Sequence, residues 1–91
     1  MKVMKVRFYQ HNKPMESREI VCMEDIQELV GGWVELLKFN MNTKESFLGD
    51  EEGLLKKLPR NEHFPQYVGN IVVIEDDSWN ELPYSKSEVQ V

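Results

Sequence analysis

Four consecutive β-branched residues, Ile71-Val72-Val73-Ile74, constrain this chain more than any other segment. Branched side chains sit well on a pleated surface, and a run that is apolar at both parities has two apolar faces. An interior strand is the structure that buries both faces. Ninety-one residues make one domain, which buries a smaller share of its surface than a larger domain would. The reading is a single domain over residues 1–91, with 76–91 as a loosely packed tail. Apolar residues are 41% of the chain, well above a disordered composition. Trp33, Phe39, Phe47, Phe64, Tyr67 and Trp79 supply large units of burial. A folded monomer satisfies these numbers, and so does a homodimer that completes a thin core.

Upstream of that strand the hydrophobic period changes several times. Residues 3–10 alternate, with Met4, Val6 and Phe8 on one face and Lys5, Arg7 and Tyr9 on the other, which predicts a half-buried strand. His11-Asn12-Lys13-Pro14 predicts a turn, and Ser17 to Cys22 a second strand of the same hairpin. From Met23 to Val30, Ile26, Leu29 and Val30 recur at three and four residues, the spacing of a short amphipathic helix. Glu24 and Asp25 favour its positive end, and Gly31-Gly32 stops it, since glycine adopts the left-handed cap freely.

Trp33 to Phe39 reads either as a strand or as a continuation of the helix. We favour the strand, because two adjacent glycines cost a helix roughly 1 kcal/mol each relative to Ala. Asn40 to Lys44 is a polar turn, Ser46 to Gly49 a short strand, and Asp50-Glu51-Glu52-Gly53 an acidic turn. Leu54, Leu55 and Leu58 suit a single helical or extended turn stopped by Pro59, and residues 60–69 form a loop. In the tail, Ser78 or Ser85 is placed to cap a short helix. The resulting fold class is α+β, with a mixed or antiparallel sheet of about four to five strands and one short helix packed on a face.

The net charge of −5 is unevenly placed. Residues 1–40 carry six basic and six acidic side chains, whereas 41–91 carry five basic and ten acidic, so the excess lies wholly in the second half. That balance argues against duplex DNA, which is bound by neutralising phosphates with Lys and Arg. Cys22 stands alone, so the sequence offers no intramolecular disulfide and suits a reducing compartment. No apolar stretch has the length of a signal peptide or a membrane span, which makes a cytoplasmic protein the simplest expectation.

No cluster carries recognisable chemistry. Asp50-Glu51-Glu52 and Glu75-Asp76-Asp77 offer oxygen ligands but lack the alternation of a calcium loop, and solvated turn residues explain them better. His11 and His63 stand 52 positions apart and have no zinc spacing with Cys22. His63 has the residue type of an acid–base group but no identifiable partner. The serines lack a nucleophile-elbow context, and Gly31-Gly32 follows a helix where a phosphate loop would precede one. The expectation is a protein without enzymatic activity and without a cofactor or metal. Lys56, Lys57 and Arg60 form the one basic patch of the acidic half, read as a solvated face over Leu54, Leu55 and Leu58.

Three motifs occur together: Gln27 to Glu35 (QELVGGWVE), Asp50-Glu51-Glu52-Gly53 with Leu58-Pro59-Arg60-Asn61, and Val68 to Ile74 (VGNIVVI). Over roughly residues 16–80 this order resembles a family of small, uncharacterised phage- and plasmid-associated domains. The chain departs from that pattern in its short 59–69 loop and in Asp50, where Asn is common. The resemblance implies a mobile-element origin and an α+β fold, and it brings no catalytic residues.

The leading functional expectation is a non-enzymatic phage or mobile-element accessory protein that binds a host protein, with inhibition of a host defence system as its most concrete form. Contact would come from Asp50, Glu51, Glu52, Glu75, Asp76 and Asp77, with Phe64 or Trp79 as an aromatic anchor. The alternative is a nucleic-acid-associated module that grips single strands with Lys56, Lys57, Arg60 and Tyr67. A structural or oligomerising domain is the third reading.

Overall fold

A computed structural model describes residues 3–75, 79 and 81–85. The elements run β1 (Met4–Tyr9), β2 (Glu16–Ile20), α1 (Met23–Val30), β3 (Val34–Asn40), β4 (Glu45–Asp50) and β5 (Ile71–Ile74). The strands form one sheet in the order β2-β1-β5-β4-β3, antiparallel throughout. The β-branched run Ile71–Ile74 is the middle strand, and all four of its residues are buried, as two apolar faces require. Residues 34–40 form a strand rather than a continued helix. Gly31 closes α1 with φ +90°, and its N–H and that of Gly32 both return to the Gln27 carbonyl.

The alternation in each strand defines two faces. Met4, Val6, Phe8, Ile20, Leu48, Val72 and Ile74 point to one side, where Ile26 and Val30 of α1 meet them. Trp79 and Leu82 pack against the same core. The segment carrying them also completes the helix start, since the N–H groups of Met23 and Glu24 donate to the carbonyls of Pro83 and Tyr84. Asp25 accepts a bond from the Val21 N–H, tying the chain that enters the helix. Cys22, expected at the end of a strand, is instead the fully buried residue preceding α1. Ser78 lies outside the described residues.

Among the described residues the opposite face has no helix. Tyr9, Phe47, Ile71 and Val73 emerge there, and residues 51–70, which run from the end of β4 to the start of β5, cover Tyr9 and Phe47. Phe64 sets its ring edge-on against Tyr9 and Phe47, at 4.8 Å and 5.3 Å between centroids. What the sequence presents as a turn, a proline stop and a loop is thus the second cover of the sheet.

Candidate functional site

Fixing an irregular cover takes specific bonds, because a loop has no repeating ladder to satisfy its backbone. Asn61 supplies the main pin and is fully buried. Its side-chain amide donates to the carbonyls of Tyr9 (2.9 Å) and Gly69 (3.0 Å), and its side-chain oxygen accepts the His63 N–H at 2.9 Å. Its backbone N–H donates to the Tyr67 carbonyl. One residue therefore binds β1, both arms of the loop and the loop tip.

Asp50 supplies a second pin. Its side chain is 1% exposed and accepts from Lys56 Nζ at 2.7 Å and from the Glu52 N–H at 2.8 Å. Lys56 Nζ also donates to the Gly31 carbonyl at 3.0 Å, placing a cation at the negative end of α1, whose own last turn has none. A Cβ on Gly32 would lie 2.8 Å from Lys56 Nζ and 2.9 Å from Asp50 Oδ1, so this junction needs the second glycine as well as the first. Burial raises the Asp50 pKa, but the Lys56 hydrogen bond, the Glu52 N–H and the Lys56 charge together outweigh it and leave the carboxyl below its ordinary value.

Histidines fasten the far side of the loop. His11 Nδ1 lies 3.1 Å from the Arg60 carbonyl and 2.6 Å from a Glu62 carboxylate oxygen, and His63 Nε2 lies 2.7 Å from the Lys13 carbonyl. Those partners only accept, so each of these nitrogens carries the hydrogen. The Asn12 N–H donates to Glu62 and, as the largest influence, holds that carboxyl below its usual range. His63 thus has a partner, a structural one, in the β1–β2 turn.

These contacts dispose of the sequence-derived site residues in different ways. Asp50, expected as a solvated turn residue, is turned inward by Lys56, while Glu51 and Glu52 remain exposed. Glu75 is exposed beyond the end of β5, at the opposite end of the β4–β5 ladder from Asp50, so the two acidic segments do not form one surface. Asp76 and Asp77 lie outside the described residues. Phe64 and Trp79 are half-buried: Phe64 in the aromatic cover, Trp79 against the core with its ring N–H on Ser46 Oγ at 3.1 Å.

The basic set is divided as well. Lys56 is committed to Asp50 and Gly31, Tyr67 directs its hydroxyl to the Leu37 carbonyl, and Lys57 and Arg60 are exposed. The Lys56–Lys57 patch does not lie over buried leucines. Leu54 is 80% and Leu55 81% exposed, and of the three leucines Leu58 alone is half-buried. A clue stood in the sequence: Gly53 and Pro59 leave room for little more than one turn, and two adjacent leucines on so short a turn do not share an inward direction.

Leu54 stands at the lip of a cleft of about 110 Å³ between β3 and the loop, with Glu35, Leu37, Asp50, Glu51 and Tyr67 around it. Trp33, 58% exposed, precedes β3 and accepts the Glu51 N–H on its carbonyl. Among the described residues no group of three or more His, Cys, Asp or Glu is arranged to hold a metal ion, and no helix is long and apolar enough to cross a membrane.

The fold and its pins define a class: a small α+β domain with one five-stranded antiparallel sheet, a short helix on one face and a hydrogen-bonded loop on the other. A domain of unknown function, DUF3846, matches residues 1–90, and the chain belongs to that family. No curated protein and no solved structure gives a significant match.

Proposed function

We propose that this chain is a non-enzymatic accessory protein that acts by binding another protein. Its most concrete form is a phage or mobile-element protein that binds a host protein in the cytoplasm and blocks a host defence system. The origin in that reading rests on the motif resemblance, and the mode of action rests on the surface. One observation carries the binding reading: Leu54 and Leu55 are 80% and 81% exposed on a loop whose flanks are pinned by Asp50–Lys56 and Asn61. Neighbouring leucines held in water on an anchored loop, beside the exposed carboxylates of Glu51 and Glu52, form the kind of mixed surface that partners cover.

The anchor residues therefore differ from those the sequence suggested. Leu54, Leu55 and Trp33 take the place of Phe64 and Trp79, whose rings are occupied within the fold. The test is affinity capture of the tagged full chain from the cell that encodes it, with the Leu54→Asp, Leu55→Asp double variant alongside. A stoichiometric protein complex with the native chain, lost in the variant, is the expected result. Capture of no protein by the native chain, or equal capture by both, overturns the reading.

A further inference from the structure

The cleft between β3 and the 51–70 loop has a composition that selects its occupant. We propose that it receives an arginine or lysine side chain presented by an extended segment of a protein partner; this rests on the protein-binding reading above. Leu37, Val68 and Tyr67 give the cleft apolar lining, and Glu35 and Glu51 bring two exposed carboxylates to it, while the Asp50 carboxylate is buried against Lys56. No cation lines it. Lys38, next to Leu37, holds its ammonium 5.9 Å from the Phe47 ring centroid, and Lys56 lies against a separate cleft with Gly31 and Asn70, where its ammonium is already bonded. Among the described residues neither Glu35 nor Glu51 has a salt-bridge partner.

An occupant must therefore combine a long aliphatic stem with a positive head, which describes a basic side chain. Opposed charges of this kind set partner choice and encounter rate more than total affinity. Two features favour a protein over a free polycation. Leu54 at the lip and Trp33 beside Glu51 are apolar surfaces that a polyamine would leave in water. The cleft also adjoins β3, an edge strand whose register slips between Leu36 and Lys38. Such a bulge blunts strand addition, so the partner engages by inserting a side chain rather than by extending the sheet.

The test uses the ¹⁵N-labelled full chain titrated with the peptide acetyl-Ala-Leu-Arg-Leu-Ala-amide, with the same peptide carrying Gln for Arg, and with spermidine. The amides of Glu35, Leu37, Glu51 and Tyr67 are expected to shift and saturate with the arginine peptide. Affinity should fall about tenfold or more with the glutamine peptide and in the Glu35→Lys, Glu51→Lys variant. Both substitutions are at exposed positions, and the variant's own spectrum reports whether the fold is kept. Equal binding of the two peptides, shifts centred elsewhere, or spermidine binding as tightly as the arginine peptide would each overturn the proposal. Failure here while the Leu54→Asp, Leu55→Asp variant still loses its cellular complex removes the cleft and leaves the function. Specific peptide binding without any cellular complex does the reverse.

Discussion

The two faces of the sheet are buried by opposite means. On one, α1 lays Ile26 and Val30 on Val6, Leu48, Val72 and Ile74, an apolar contact that specifies little beyond period and volume. On the other, residues 51–70 set Phe64 edge-on against Tyr9 and Phe47, and the loop keeps its shape through Asn61, Asp50 and two histidines. The helix satisfies its interior backbone and borrows only at its ends, from the Pro83 and Tyr84 carbonyls and the Asn70 side chain, whereas the loop borrows partners from β1, the β1–β2 turn and the end of α1. The first cover is therefore robust to sequence detail, and the second depends on single polar atoms.

Truncation on the helix face should have the largest effect. Ile26 is fully buried, and Ile26→Ala is expected to cost about 3–5 kcal/mol in urea unfolding, with the midpoint falling and the slope unchanged. Asn61→Ala comes next, at about 2–3 kcal/mol, because it strands the Tyr9 and Gly69 carbonyls and the His63 N–H. Native-state hydrogen exchange sharpens the contrast. Asn61→Ala should release the amides of Phe64, Tyr67 and Gly69 while the β5 amides stay protected. Equal loss of protection in the loop and in β5 would make the two covers one cooperative unit and break the comparison.

Acid should act on the loop face through Asp50. The folded Asp50 carboxyl titrates below its unfolded value, so the unfolded chain binds more protons between the two. Its stabilisation is complete above the unfolded pKa and is lost as pH falls through the folded one. Thermal unfolding across that range should show a smaller pH dependence for Asp50→Asn than for the native chain; an equal dependence would remove Asp50 from this role. Leu54→Ser should be the mildest change, within about 0.5 kcal/mol of the native stability, because its side chain is 80% exposed. A larger loss would mean that the leucine supports the loop rather than meeting a partner.

The same contrast explains what the sequence discloses. Helix α1 spans Met23–Val30, as the spacing of Ile26, Leu29 and Val30 with the Gly31 cap requires, and the alternation at Met4, Val6 and Phe8 places β1. The strand run 71–74 announces its central place because burial on both faces is written in each residue. The loop face is different, since its bonds join residues far apart in sequence. Asn61 meets the Tyr9 carbonyl 52 positions away, and Lys56 meets Gly31 across 25. Neither pairing leaves a periodic trace. The order of Gly31-Gly32, Asp50-Glu51-Glu52-Gly53 and Leu58-Pro59-Arg60-Asn61 is legible in the sequence, and its physical content is this set of distant bonds. Cys22 and the half-buried Trp79 show the same limit, since each is placed by partners that no local pattern names.

The position of β5 has a consequence for how the chain acquires its shape during synthesis. Among the described strands the middle one is the last in sequence to leave the ribosome, so the β1–β2 and β3–β4 hairpins emerge before the strand that joins them. Each waits with an open inner edge, and β1 closes on β5 only after more than sixty intervening residues have been made. Such non-local closure is slow and leaves unpaired edges to find other chains. Nascent chains stalled before Ile71 should therefore be protease-sensitive and sticky, and release of β5 together with the segment carrying Trp79, Leu82 and Tyr84 should convert them to the resistant form.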